Sequence, residues 1–394
     1  MEFEYSEHQG IGGRYKEKPE DFIVKEILGN GVILELGKSY AKEDICDCKD
    51  GKFCWIVFEK RAWSSSRALY EIAKRAGRGR RSISFAGSKD RNSISVQLGS
   101  IYGASPEKVL SQKIKDIRVY SAWLCDKPVE LGSNIGNSFE AIVRNIERNE
   151  APALSFIPNF FDKQRFGNRL NNAKIGLMIM KGDLQGAVEE FLLSTENENS
   201  IAAIEARNRL KAEMDYKEAN AYFPRFLKEE RAVISWLSTH EKDYAGALRR
   251  LPRSLLIMFI HAVEAEIFNY SLRKRLKEKD FSSRIKCGAG LYGFPDTEKP
   301  GMDYPLSPLI GYNTKDEYIG PFEEEAMEKL QVSKEEFKIK RMPELGMKGS
   351  FRPLFVNVAD FSCEFDEDSA KIKFMLPSGS YATMLLEYVC KGKI

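Results

Sequence analysis

The order of hydrophobic patterns predicts one α+β domain interrupted by an inserted, more helical one. Short runs of strand character fill the chain up to about Ser155, spacings of three and four then dominate, and residues 345–394 return to strand character. A length of 394 residues allows two or three domains at roughly 100–200 residues each,. With 43% hydrophobic residues the chain can bury at least one large core, which excludes a disordered protein,.

Each element has its own local signal. Pro19 disfavours helix just before it and leads into the strand-like run Phe22 to Ile27,. Val32 to Leu36 and Phe53 to Phe58 read as two further strands,. Ser64, Ser65 and Ser66 offer caps for a helix that carries Leu69, Ile72 and Ala73 on one side,. A basic turn, Lys74 to Arg81, gives way to alternation at Ile83 and Phe85, and Phe139 to Val143 is another strand,. Helical spacing runs through Leu177 to Leu193, Ile201 to Met214 and Ser254 to Leu276,. The stretch 285–313 is rich in Gly and Pro and reads as a long irregular surface segment,. Ser333 with Glu336 forms a capping box, and Phe355 to Val358 and Lys371 to Phe374 close the chain as strands,.

Bulk properties narrow the class further. Lys and Arg number 61 against 58 Asp and Glu, a net charge of +3, so any polyanion contact must come from local basic patches,. The acidic start, Met1 to Tyr5, lacks the basic and apolar regions of a secretory signal,. Ser254 to Phe268 is the longest apolar stretch, but His261, Glu264 and Glu266 break it, so a buried helix is expected rather than a membrane span,. A cytoplasmic protein follows. Seven cysteines, an odd number, argue against a disulfide framework,. Cys46, Cys48 and Cys54 cluster without the two-residue knuckle of a zinc ribbon, and the histidines are three: His8, His240 and His261,. Reduced loop and strand thiols, and no metal, are the expectation.

Two segments carry candidate chemistry. In Phe85 to Gln97 a strand ends, Gly87 relaxes the backbone, and Asp90 sits between Lys89 and Arg91. Flanking cations favour the ionised carboxylate that a nucleophile or base requires. A solvated turn would show the same residue types. In Pro158 to Gly167, Phe160, Phe161 and Phe166 interleave with Asn159, Lys163, Gln164 and Arg165. Such a mixture suits stacking of an extruded base with contacts to its edges, and equally a packed pair of phenylalanines beside a helix start.

With two further runs, these segments resemble the TruD family of pseudouridine synthases. Lys16 to Phe22 is similar to the family's opening Lys-x-x-Pro-Glu-Asp-Phe, and Ala86 to Gln97 to its Ala-Gly-x-Lys-Asp motif with a downstream Gln. Pro158 to Gly167 is similar to its Pro-Asn-aromatic-Phe and Gln-Arg-Phe-Gly motif, and Leu376 to Thr383 to its C-terminal Leu-Pro-x-Gly-Ser-aromatic-Ala-Thr. The four matches stand in the family's order between residues 16 and 383.

The resemblance implies a pseudouridine synthase fold with a mixed, mainly antiparallel sheet, built from residues 1–184 and 341–394. An α+β insertion specific to the family would occupy 185–340. Asp90 falls on the carboxylate that pseudouridine synthases share, Lys16 on the basic residue expected to pair with it, Phe161 on the aromatic that packs on the target base, and Asn159 on a polar neighbour in the same pocket. Lys89, Gln97, Gln164 and Arg165 match motif positions and are expected at the substrate site. Arg91 and Asn92 stand where some relatives carry Lys and His.

The implied activity is isomerisation of uridine, at position 13 of tRNA, to pseudouridine. It breaks the N1–C1′ bond, turns the uracil and rejoins it through C5, without cofactor or metal. The implied partner is tRNA, with no membrane and no obligate protein partner. Lys74, Arg75, Arg78, Arg80 and Arg81 are the preferred phosphate contacts, ahead of Arg249, Arg250 and Arg253 and of the run Arg273 to Lys277,. Two rival readings are a catalytically silent RNA-binding protein of the same fold and a carboxylate-dependent hydrolase. The latter needs a second tuned carboxylate, for which Asp162 is the candidate within the motifs,.

Overall fold

The computed structural model describes residues 9–280, 286–288 and 303–391. One nine-stranded sheet organises the two ends of the chain. Strands β1 (Gly12–Tyr15), β2 (Phe22–Ile27), β3 (Phe53–Arg61), β4 (Ile83–Phe85), β5 (Ile94–Tyr102), β6 (Ile117–Cys125) and β7 (Gly136–Ile146) come from the first part. The segment Phe156–Pro158 (β8) lies outside that sheet. Helices α1 (Lys42–Ile45), α2 (Ser65–Arg75) and α3 (Pro106–Leu110) punctuate these strands.

The middle of the chain is mostly helical. It comprises α4 (Lys163–Phe166), α5 (Asn172–Lys181), α6 (Leu184–Leu193), α7 (Ile201–Glu213), α8 (Tyr216–Tyr222), α9 (Lys228–Leu237), α10 (Tyr244–Leu248) and α11 (Arg253–Glu278). Strands β9 (Lys286–Gly288) and β10 (Asp303–Leu309) and helix α12 (Pro321–Leu330) follow. The chain then returns through β11 (Ser350–Pro353), β12 (Phe355–Asn357), β13 (Ala359–Phe365), β14 (Ser369–Pro377) and α13 (Ala382–Cys390).

The large sheet runs β13-β14-β7-β2-β5-β3-β6, with β1 also on β7 and β4 also on β5. Only the β2–β5 pair is parallel, so the sheet is mixed and mainly antiparallel, as expected. The C-terminal β14 pairs with β7 from Ser369↔Arg144 to Pro377↔Gly136, which stitches residues far apart in sequence into one sheet. Under one part of the sheet, α13 covers Phe22, Phe139, Ile372 and Phe374 through Leu385, Leu386 and Val389. Under another, α2 packs Leu69 and Ile72 on Ile56 and Phe58.

The helical body has its own core, running from Ile175 to Leu345 around α11. It takes in α5 and the turn Pro343–Leu345. Its spine, α11, is apolar enough by composition to cross a membrane, but 67% of its most apolar window is buried inside the protein. A smaller cluster of Phe160, Phe161, Phe268, Leu272, Leu354 and Met384 joins this body to the sheet domain.

Some sequence expectations need correction. Val32 to Leu36 forms only an isolated bridge, Ile27↔Ile33. The Tyr40 hydroxyl accepts from Glu35 N and donates to the Ile33 carbonyl, occupying backbone groups that a neighbouring strand would pair. The helical run Leu177 to Leu193 is two helices: Gly182 takes φ +79 and closes α5, and Asp183 caps α6 through Gly186 N,. The stretch 285–313 is not wholly irregular, since β10 pairs with β9 and β11; residue 285 and residues 289–302 lie outside the described residues. Cys48 and Cys125 are joined as a disulfide, against the expectation of reduced thiols. Cys125 lies 77 residues away from Cys48 in sequence, so local spacing gave no sign of it.

Candidate active site

Asp90 sits on the loop 86–93, which leaves β4 opposite Gly99 and returns along β5 to Ile94. Three buried contacts fix that loop. Lys60, fully buried on β3, donates to the Asp90 carbonyl oxygen and, at 3.0 Å, to Ser93 Oγ. Lys89 N donates to Ser65 Oγ at 2.8 Å, and Ser65 Oγ donates to Gln97 Oε1 at 2.6 Å. Lys89 Nζ pairs with Glu26 Oε1 at 2.7 Å, while Glu26 Oε2 accepts from Leu98 N at 2.7 Å. The backbone beneath Asp90 is thus held from β2, β3, β5 and α2.

The carboxylate itself faces the cleft. Lys16 Nζ lies 2.5 Å from Asp90 Oδ2 and 4.0 Å from the centre of the Phe22 ring. Lys16 adopts φ +60, a left-handed conformation uncommon for a residue with a side chain,. Asn92 Nδ2 donates to its carbonyl at 2.7 Å and holds it there. So Asn92, which has no acid–base capacity, serves the site by fixing the backbone of the lysine that meets Asp90.

Across the cleft stands an aromatic and cationic wall. Phe161 is pinned by Asn269 of α11, whose amide accepts from Phe161 N at 2.8 Å and donates to its carbonyl at 2.9 Å. Arg352 lies over the Phe161 ring at 4.0 Å and Arg165 at 5.2 Å, both within cation–π range,. Tyr381 meets Phe161 edge-on at 6.2 Å. A cavity of about 440 Å³ runs between Lys89 and this wall and is closed on the helical side by His261 and Glu264. An adjoining space of about 180 Å³ holds Lys16, Asp90, Gln164 and Tyr381. The first volume lies in the usual range of small-molecule sites, roughly 300–1,000 Å³.

Nearly the whole chain is similar to known proteins. The model of the family tRNA pseudouridine synthase D (TruD) covers residues 1–286 and 297–389. A protein of Pyrococcus abyssi named "Probable tRNA pseudouridine synthase D" is 31% identical, over 98% of both chains. One of the same name from Thermococcus sibiricus is 30% identical over 98% of this chain and 96% of its own. The crystal structure titled as that of the "Putative tRNA pseudouridine synthase D (TruD)" from Methanosarcina mazei superposes with a TM-score of 0.74 at 28% identity, covering 98% of this chain and 95% of that one. The chain belongs to the TruD family. It is an isomerase of the pseudouridine synthase class.

The TruD motif residues divide into two groups. Lys16, Asp90, Phe161, Gln164 and Arg165 line the cleft. Lys89, although 7% exposed and tied to Glu26 and Ser65, also borders both spaces of the cleft, whereas Gln97 is fully buried behind the loop as an anchor. Asn159 is also buried: its Nδ2 donates to the Pro353 carbonyl at 2.9 Å and its Oδ1 accepts from Arg352 at 2.5 Å. It orients Arg352 over Phe161 instead of presenting an edge to the cavity. Sequence reasoning missed Glu26, Lys60, Ser65, Asn269, Arg352 and, although it lies within the C-terminal motif, Tyr381. The basic run from Lys74 to Arg81 sits beside Ile83 and Ile101, at the opposite end of β5 from Asp90, roughly 20 Å away at the rise of an extended strand,.

Lys60 gives a testable handle on the loop. Burial pushes its ammonium down to about 8, partly offset by the charge of Asp90. In the unfolded chain it keeps its proton to about 10.5, so between these values the unfolded state binds more protons and folding gains as pH rises,. The stability of the native protein relative to Lys60→Met is therefore expected to increase between pH 8 and 10.5, as denaturant melts at both ends of that window would show,. At neutral pH the variant is expected to lose about 10–100-fold in kcat with KM for tRNA little changed, because the loop loses its pin. An unchanged kcat would remove Lys60 from the site.

Proposed function

We propose that this enzyme converts uridine 13 of tRNA to pseudouridine, with Asp90 as the reacting carboxylate and Phe161 and Tyr381 as the wall that retains the detached uracil. One observation carries the reading: a braced, lysine-paired carboxylate and an aromatic wall border one continuous cleft. Extrusion of the target nucleotide would place its ribose toward Asp90 and its base toward Phe161. Asp90 acts on C1′ or on a ribose proton, and either route uses the ionised carboxylate beside Lys16. Retention of the base at the wall allows it to turn and rejoin through C5. Kinship, not a contact in the site, supports position 13.

Two observations weigh against the hydrolase reading. Asp162 is 5% exposed and spends both carboxylate oxygens, accepting from Lys163 N and from Thr383 Oγ1, each at 2.6 Å. Glu264 does line the cavity, but His261 Nδ1 meets it at 2.5 Å. The silent-binder reading would leave the Lys16–Asp90 pair without purpose.

The decisive experiment follows tritium release from tRNA labelled at uracil C5, with a second tRNA carrying cytidine at position 13. Release from the first and none from the second supports the reading. Free uracil as product would establish hydrolysis, and release from both tRNAs would move the target elsewhere.

Base–aromatic stacking contributes roughly 1–3 kcal/mol. Phe161→Ala is therefore expected to lower kcat/KM by about 5–150-fold in the same assay. An undiminished kcat/KM in folded variant protein would mean that the base packs elsewhere.

Grip on the rest of the tRNA is assigned to the remote end of the sheet. There Arg78 and Arg81 line a cavity of about 690 Å³ with Tyr102 and Phe53. Arg75 is engaged by Glu71 and the Lys113 carbonyl, and Arg80 lies over Tyr70, so these two reach phosphate less freely than Arg78 and Arg81. Lys74 belongs to the same run at the end of α2. In the insertion, Arg275 is committed to a buried pair with Glu323 and Arg249 to Glu344, which lowers their standing as RNA contacts.

A further inference from the structure

A second chemical cluster lies at the end of the sheet remote from Asp90. Cys46 and Cys48 are separated by one residue, and Cys46 has extended backbone at φ −159, ψ 154. Alternate residues of an extended chain project to one side. Both thiols meet Cys125, the last residue of β6, which is fully buried. All three sulfur atoms lie within 4.8 Å of one another. Cys46 Sγ is 2.9 Å from Cys48 Sγ and 3.6 Å from Cys125 Sγ, while Cys48 and Cys125 form the disulfide.

A disulfide needs two sulfurs, and this site gathers three. The loop that brings two of them is built against the third. A Cβ on Gly51 would lie 2.4 Å from Asp126 Cα and 2.6 Å from the Cys125 carbonyl oxygen, so only glycine permits the approach. Trp55 Nε1 donates to the Lys127 carbonyl at 2.7 Å and braces the segment that follows Cys125. Lys42 pairs with Asp50 at 2.6 Å on the solvent side of the same loop.

We propose that, when reduced, Cys46, Cys48 and Cys125 bind one zinc ion that ties the loop 46–52 to the end of β6. Zinc bonds to thiolate at about 2.3 Å, which sets tetrahedral S···S distances of about 3.8 Å. The Cys46–Cys125 separation of 3.6 Å already meets that requirement. Opening the Cys48–Cys125 bond takes two electrons and two protons from a thiol or phosphine reductant, and the two thiols then move apart. Metal entry releases the three thiol protons. Cys46 and Cys48 are partly exposed, so the fourth position opens to solvent and takes water.

The test uses the full chain reduced with a phosphine and titrated anaerobically with Co²⁺, followed by Zn²⁺. The expected result is one equivalent of Co²⁺, with near-ultraviolet thiolate-to-cobalt absorption that Zn²⁺ abolishes. Cys46→Ser, at a partly exposed position, is expected to weaken Co²⁺ binding by more than the roughly 10–100-fold that an outer-shell partner costs. It should also diminish the thiolate band. Cys54→Ser, at a buried thiol of a different core cluster, leaves both unchanged. If Cys46→Ser does not fold by circular dichroism, Cys48→Ser serves in its place. Folded, fully reduced protein without a thiolate–cobalt band would overturn the proposal, leaving a plain disulfide beside a free thiol. An undiminished band in folded Cys46→Ser, or in Cys48→Ser where that replaces it, would overturn it equally.

Discussion

Asp90→Asn is expected to reduce tritium release from C5-labelled tRNA by on the order of 10⁴-fold, while tRNA binding stays within a few-fold of the native protein. The substitution is nearly isosteric and spares the supports of the loop. Lys60 and Ser93 hold the Asp90 carbonyl oxygen, not its carboxylate, and Lys89 is anchored independently by Glu26 and Ser65. The side chain is 34% exposed, so no buried charge is stranded apart from the partly exposed Lys16, which can still donate to an amide oxygen. Loss of activity in a folded, tRNA-binding variant would therefore be chemical, not structural. A neutral amide can neither attack C1′ effectively nor take a ribose proton at neutral pH. Residual release within tenfold of native would move the reacting group elsewhere, with Glu264 the next carboxylate in the cleft.

The sequence and the structure agree most where a feature is local. Short strand-like runs bounded by turn signals located β2, β3, β4, β7 and β14, because such runs are set by local composition,. The same signal overread Val32 to Leu36, whose pattern is the same but whose backbone groups are partly taken by Tyr40. Periodicity also ran α5 and α6 together, since both bury one face in the same core. The Gly182–Asp183 pair that separates them is a C-cap followed by an N-cap, and was legible,.

The candidate site divides along the same line. Asp90, Lys16, Phe161, Gln164 and Arg165 stand in contiguous motifs and line the cleft. Their supports come from far away: Lys60 reaches Asp90 across 30 positions, Glu26 reaches Lys89 across 63, and Arg352 reaches Asn159 across 193. Nothing in a local window distinguishes these from ordinary strand residues, because burial and pairing are consequences of the sheet order. The same holds for Cys125, which only the β3–β6 pairing brings to the loop beyond α1.

The largest effect on stability is expected at the Glu26–Lys89 pair. Glu26 is fully buried and Lys89 is 7% exposed, and the two meet at 2.7 Å. Glu26 also accepts from Leu98 N, in the stretch of β5 between its pairings with β2 and β4. Glu26→Leu leaves a buried ammonium without its counter-ion and a backbone N–H without its acceptor. Removing one member of such a pair costs about 3–5 kcal/mol, and the orphaned donor adds roughly 1–3 kcal/mol. Denaturant melts are expected to show that loss directly. The double variant Glu26→Leu with Lys89→Met removes both charges and should recover the larger part of it, because an apolar pair of similar volume avoids the desolvation cost. Activity is expected to behave differently. Without the ion pair the Asp90 loop loses its link to β2, and a displacement near 1 Å costs about 100-fold in rate. The double variant should therefore be stable and slow. If it regained full tritium release as well as stability, the ion pair would be a structural feature of the core with no part in placing Asp90. If neither recovered, the Glu26 bond to Leu98 N, not its charge, would be what holds the loop.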